Sequence, residues 1–208
     1  DECGLRAVSS HVALKLIEAD MQGVIDYHKA IGCDYIAVPY LSTEQRPGTP
    51  AFAGVLRTIY QFGCLCRDNG IQLLYHNHDF EFVSFSGMYA LDFLYAAMPE
   101  DVLKTEIDVC WVKYAGEDPA AYLRKYAGRA PVVHLKDFVG RKEGDAAPYG
   151  LLGQSETKAA GEVPFEFRPV GYGCQDVSAV AEAGLDAGAK WFVVEQDASV
   201  GRTPLEAA

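Results

Sequence analysis

Six short runs of β-branched and aromatic residues, with helical patterns between them, set the terms on which this chain can fold. The runs cover residues 5–10, 35–40, 72–78, 104–110, 131–136 and 191–196, and their breaker-bounded ends mark them as buried strands. Helical periodicity fills 13–31, 49–68, 88–97, 118–126 and 175–187. Gly32 stands as a C′ glycine after the first, and Asp118-Pro119 reads as a cap and first-turn proline opening the fourth. Alternation of strand and helix calls for a parallel sheet with helices outside it. The early strands recur about every 27–37 residues, the length of one strand–helix unit. The last interval is longer because 138–171, rich in glycine, intervenes as a long loop that reads equally as an active-site lid or as a mobile surface insertion.

A dinucleotide-binding sheet would place G-x-G-x-x-G directly after a strand, and Gly171-Tyr172-Gly173 lacks the third glycine. The remaining α/β architecture is a TIM barrel. Eight units take about 250 residues, whereas this chain of 208 has six. Either the barrel is open or two units lie outside 1–208; residues 1–4 read as the tail of a preceding helix, which favours truncation, and the expectation is one barrel domain over 1–208, truncated at both ends. On that expectation 5–10 and 191–196 are unpaired edges, and either the fragment alone is inactive and poorly soluble or it is the visible part of a longer chain.

Eighteen basic against twenty-nine acidic side chains give a net charge of −11. That disfavours nucleic acid, and no apolar run approaches the ~18 residues of a membrane helix. The chain is long enough to build a core without disulfides. Cys64 and Cys66 are not at zinc-finger spacing, so the six cysteines read as reduced thiols of a cytoplasmic protein.

Four of the five histidines, His11, His76, His78 and His134, fall at the C-terminal ends of the expected strands, where barrels place their chemistry. His28, inside a helix, has the pattern of a satisfied surface residue. Period two puts Glu106 with Asp108, His134 with Lys136, and Glu195 with Asp197 on shared strand faces. A single histidine at a strand end is more often a hydrogen-bonded polar residue than a ligand. Four at equivalent ends, interleaved with carboxylates that are costly to bury unpaired, reverse that balance. Imidazole and carboxylate together suit Mn²⁺, Zn²⁺, Co²⁺ or Fe²⁺ better than Ca²⁺. Ser9-Ser10-His11 is not triad geometry, and no G-x-S-x-G elbow occurs. Tyr40, Trp111 and Phe138 lie at or just beyond strand ends, where they could stack on a sugar ring.

The motifs Leu74–Phe82 (LYHNHDFEF), Glu106–Trp111 (EIDVCW), Val133–Asp137 (VHLKD), Val170-Gly171-Tyr172-Gly173 and Val194–Asp197 (VEQD) resemble, in order, those of the sugar phosphate isomerase/epimerase group. This group belongs to the xylose-isomerase-like barrels. The resemblance makes the strands here the third to eighth of the barrel. It implies one divalent cation, magnesium included, held by His76, Asp108, His134 and Glu195. His76 departs from the glutamate that keto-sugar epimerases carry there, and Trp111 stands where they place a substrate-binding histidine.

The implied enzyme is a metal-dependent isomerase or epimerase of a sugar or sugar phosphate. It would remove a proton beside a metal-bound carbonyl through an enediolate. Glu195 would act as base as well as ligand, with His78, Glu106 or Lys136 as acid; a lysine beside a cation has a lowered pKa. His11, Trp111 and Arg168 would touch substrate, and Arg168, Lys136 and Arg141 are candidates for a phosphate. The alternative is a lyase, either inosose-dehydratase-like or acting on 3-keto-glycosides. A third reading is a non-catalytic sugar-binding barrel. The expected partner is a small sugar, with no nucleic acid or membrane, and a homo-oligomer is compatible with the sequence.

Overall fold

The computed structural model describes residues 3–140 and 165–207. Two compact units divide the chain, Asp1–Glu106 and Ile107–Ala208.

The first unit opens with β1 (Ser9–His11), α1 (Leu14–Ala19) and α2 (Met21–Ala30). The single helix expected over 13–31 is therefore broken. Asp20 leaves helical geometry at φ −159°, and its carboxylate accepts from the Gly23 backbone N–H at 2.8 Å, capping α2. Next come β2 (Tyr35–Val38), α3 (Phe52–Asp68) and β3 (Gln72–His76). A hairpin follows, β4 (Ser84–Phe85) against β5 (Met88–Tyr89), and then α4 (Ala90–Ala96). The helix expected from residue 88 starts two residues late because Ser86 and Gly87, at φ 52° and 85°, make the tight turn of that hairpin. The unit closes on β6 (Lys104–Asp108), whose last two residues belong to the second unit.

The order is β1-β2-β3-β6, with parallel registers throughout. The inner strands are buried along almost their whole length, as continuous apolar runs such as Tyr-Ile-Ala-Val require. β1 and β6 are three strand spacings apart, about 14 Å in a flat sheet. Yet the Ser9 hydroxyl donates to Glu106 Oε1 at 2.9 Å, which two such side chains cannot span unless these strands curve.

The second unit carries β6 onward into α5 (Val109–Tyr114), then α6 (Pro119–Lys125), β7 (Val132–Leu135) and β8 (Asp137–Val139). After residues 141–164 come β9 (Glu166–Arg168), α7 (Val177–Asp186), β10 (Trp191–Val194) and α8 (Pro204–Ala207). Its parallel order is β6-β7-β10. Three features correct the sequence reading. The strand expected to reach Cys110 stops at Asp108, whose Oδ1 accepts from the backbone N–H groups of Cys110 and Trp111 at 2.8 and 3.2 Å and starts α5. Cys110 therefore sits in a helix, not beside Asp108 on a strand face. Within the expected loop, 166–168 pair antiparallel with 137–139 as β9 and β8; the remainder of the lid reading, and Arg141, lie outside the described residues.

Six parallel strands thus occur, as expected. Among the described residues β1 pairs only with β2 and β10 only with β7. Both are less buried than the strands inside them. No described helix is long and apolar enough to cross a membrane, and all six cysteines are free thiols. His28 is buried rather than on the surface, its Nδ1 2.6 Å from the Val24 carbonyl one turn back.

Two glycines of α3 test the packing of the first unit. A Cβ on Gly63 would lie 2.6 Å from both Val102 Cγ1 and the Val102 carbonyl oxygen, whereas one on Gly54 would meet nothing within 4 Å. Gly54→Ala is expected to gain up to about 1 kcal/mol from helix propensity. Gly63→Ala is expected to lose about 1–3 kcal/mol through overpacking. Urea unfolding of both variants checks the opposite signs.

Candidate active site

In the first unit the functional side chains gather on Glu106, which has no exposed surface. The parallel register sets Glu106 opposite His76, and alternation turns Ser9 and His11 to one face of β1. Glu106 Oε1 accepts from Ser9; Oε2 lies 2.6 Å from His11 Nε2 and 3.4 Å from His76 Nδ1. His11, His76 and Glu106 offer ligand-type atoms within 4.8 Å of one another. The His11 and His76 rings meet edge to face at 4.7 Å.

His78 follows β3. Its ring stacks on Phe80 at 5.6 Å and meets the edges of Tyr40 and His76 at 5.2 and 5.3 Å. Its backbone N–H donates to Glu81 Oε2 at 2.9 Å, while the Tyr75 hydroxyl donates to Glu81 Oε1 at 2.6 Å. Glu81 was not singled out in sequence, yet it pins the turn that presents His78. Burial pushes its carboxyl up to about 8, against the pull of those two hydrogen bonds.

The second unit centres on Lys136, which is almost wholly buried. Its ammonium lies 2.8 Å from Glu195 Oε2, 2.9 Å from Asp197 Oδ2 and 3.2 Å from Asp108 Oδ2. His134 Nδ1 is 2.9 Å from Glu195 Oε2. Asp108, His134 and Glu195 offer ligand-type atoms that all lie within 4.8 Å of one another. Two carboxylates and an imidazole at that separation fit a Mn²⁺-, Zn²⁺- or Fe²⁺-type cation. Glu195 is held in place because its backbone N–H donates to the Leu135 carbonyl at 3.1 Å, carrying the β7–β10 ladder one residue further. Burial lowers the lysine pKa, but Asp108, Glu195 and Asp197 together outweigh it and leave it above the ordinary value. The lowered value expected of Lys136 presupposes a neighbouring cation; among these side chains alone the balance runs the other way.

The remaining candidates are more enclosed than their sequence positions suggest. Trp111 has no exposed surface; Phe165 stacks on it at 5.8 Å, and the Lys136 ammonium sits 5.6 Å from its ring. Phe138 is buried against Phe165 at 5.2 Å. Arg168, on β9, is ion-paired with Glu166. Asp137, fully buried beneath Lys136 in sequence, accepts from four backbone N–H groups, those of Phe138, Gly171, Gly173 and Gln175, at 2.8–3.0 Å. Only glycine fits at 173, where a Cβ would lie 2.2 Å from the Asp137 carboxylate.

Because Glu81 holds its proton to about pH 8 when folded but to about 4.5 when unfolded, the folded chain binds the extra proton between these values. Its contribution is therefore most favourable at low pH and is lost as pH rises through that window. The stability difference between wild type and Glu81→Gln should fall between pH 5 and 8, by up to about 1.4 kcal/mol per pH unit. Urea midpoints measured across that range check the sign.

A family model for the xylose isomerase-like TIM barrel matches residues 13–208. No curated protein matches the chain in sequence. A sugar phosphate isomerase/epimerase from Parabacteroides distasonis is similar in structure, with a TM-score of 0.75 at 20% identity over 100% of this chain and 69% of its own. A xylose isomerase-like TIM barrel protein from Mycobacterium smegmatis, in complex with magnesium, gives 0.66 at 17% identity over 96% and 69%. The probable 3-DHS dehydratase AsbF of Bacillus anthracis, involved in petrobactin synthesis, gives 0.64 at 12% identity over 94% and 71%. At such identities these structures are alike in fold. With six parallel strands in chain order and a family match over nearly its whole length, the chain belongs to the xylose isomerase-like TIM barrel family.

Proposed function

We propose that this protein is a metal-dependent isomerase or epimerase of a sugar or sugar phosphate, with 1–208 belonging to a single barrel domain. The observation that carries the reading is the convergence of Asp108, His134 and Glu195, with ligand-type atoms within 4.8 Å, around a buried lysine. The similarity to a sugar phosphate isomerase/epimerase supports the substrate class. The motif resemblance adds His76, at the end of β3, to the proposed ligand set. A bound divalent cation would supply Lewis acidity, making a proton beside a sugar carbonyl removable.

The chain's own groups divide the remaining work. Glu195, a quarter exposed where Asp108 is fully enclosed, is the carboxylate able to reach a substrate proton. Lys136 is its charged neighbour and can return a proton; His78 and Glu106 are the other donors proposed for that step. His11, partly exposed on β1, Trp111 and Arg168 are the proposed substrate contacts. A second reading, a dehydratase on the same scaffold, draws on the similarity to the Bacillus anthracis protein. Both chemistries begin with the same proton removal and differ in whether a β-hydroxyl then leaves.

Two measurements test the proposal. Asp108→Asn keeps an acceptor for the α5 cap while removing the charge, so the variant should stay folded and hold less than a tenth of the wild-type Mn²⁺ or Zn²⁺ by elemental analysis. Unchanged metal content would refute the ligand assignment. Incubation of the wild type with keto-sugars in D₂O should place deuterium on carbon without change of formula. Loss of water would select the dehydratase instead, and no exchange with any keto-sugar would remove both enzymatic readings.

A further inference from the structure

Glu106 stands in the proposed reaction as one of three acid candidates, but its surroundings argue for a different task. The carboxylate is fully buried, and a buried charge must be compensated by donors. Ser9 donates to Oε1, so Oε2 is the oxygen turned to the two imidazoles, 2.6 Å from His11 Nε2 and 3.4 Å from His76 Nδ1. An ionised carboxylate only accepts. With Glu106 ionised, the nitrogen that each ring turns toward it is the one to carry the proton, which would leave His76 with its lone pair on Nε2. Metal-binding histidines are commonly held in this way, one nitrogen donating to a carboxylate and the other ligating.

We infer that Glu106 is a positioning residue for cation binding: it holds His76 as the Nδ1–H tautomer, with Nε2 the atom offered to the cation. The inference rests on the metal reading above, in which His76 is a ligand. The His76 contact is long for a hydrogen bond, and a shift of about 0.5 Å closes it. The chain is then Ser9 to Glu106 to His76, from the hydroxyl that fixes one oxygen to the ring that the other oxygen orients. His11 shares Oε2 and packs its ring edge against His76, so it braces the same arrangement.

The rival arrangement is a cation held by His11, His76 and Glu106 themselves. Two ligand atoms of a tetrahedral ion with bonds of about 2.1 Å lie about 3.4 Å apart. The His76–Glu106 separation of 3.4 Å matches that figure, but the His11–Glu106 separation of 2.6 Å is well short of it and has the length of a charge-assisted hydrogen bond. One oxygen also serves both rings, as an acceptor shared between donors does.

The test measures cation stoichiometry and affinity by competition with a chromophoric chelator, using Zn²⁺ and Co²⁺ on the whole chain. Wild type should take one cation, and Glu106→Gln should still take one with affinity weaker by about 10–100-fold, accompanied by an altered Co²⁺ d–d spectrum. His11→Ala should also keep one cation. Equal affinity in wild type and Glu106→Gln overturns the inference and leaves the metal reading standing. A wild type that binds two cations, with one lost in both variants, establishes the rival site. A wild type that binds none overturns the metal reading and this inference together. Should Glu106→Gln fail to fold, long-range ¹H–¹⁵N spectra of the wild-type imidazoles decide the matter: His76 protonated on Nδ1 is expected, and protonation on Nε2 overturns the inference.

Discussion

The structure depends on the burial of two negative charges two residues apart on one strand. Glu106 and Asp108 share a face of β6, and neither has any exposed surface. A carboxylate taken out of water costs several kcal/mol unless it is compensated. Each therefore organises the residues around it. Glu106 draws Ser9, His11 and His76 from other strands of the first unit. Asp108 divides its two oxygens, one capping α5 through two backbone N–H groups and the other facing the Lys136 ammonium. Truncating either carboxylate would take away the acceptor that these groups converge on, which is why these positions combine structural and chemical constraint.

Much of this could be read from alternation alone. Strand β6 announces itself through β-branched residues between breakers, and period two places its carboxylates on one face. The same rule aligns His134 with Lys136 and Glu195 with Asp197, and all four meet in the structure. Strand centres were legible because parallel strands buried on both faces are unbroken apolar runs. Their ends were not, because there polar side chains bond to backbone instead of continuing the ladder. Asp108 reads as a residue within a longer strand and in fact ends β6 and caps α5. Asp20 lies inside a helical pattern and interrupts it.

Glu81 and Asp137 escaped notice for a related reason. Both lie within recognisable motifs, LYHNHDFEF and VHLKD, but their roles come from accepting backbone N–H groups, which leave no mark on side-chain patterning. Asp137 serves donors more than thirty residues away. Trp111 shows the converse difficulty. Its place just past a strand end suggests an exposed stacking surface, yet the ring is enclosed by Phe165 and Phe167, and both partners lie beyond a long stretch of chain that local pattern cannot bridge.

The four-donor clamp at Asp137 has a consequence for how this part of the protein can vary in length. Together with the β8–β9 ladder it ties the chain before residue 140 to the chain after residue 165 at several points. Once two ends are held side by side, the entropy of joining them grows only with the logarithm of the intervening length, about 0.6 kcal/mol for each doubling. Insertions and deletions between these anchors are thus thermodynamically inexpensive, while the anchors themselves tolerate almost no change. A lineage could change the length between these anchors without disturbing the strand that carries His134 or the Lys136 that follows it.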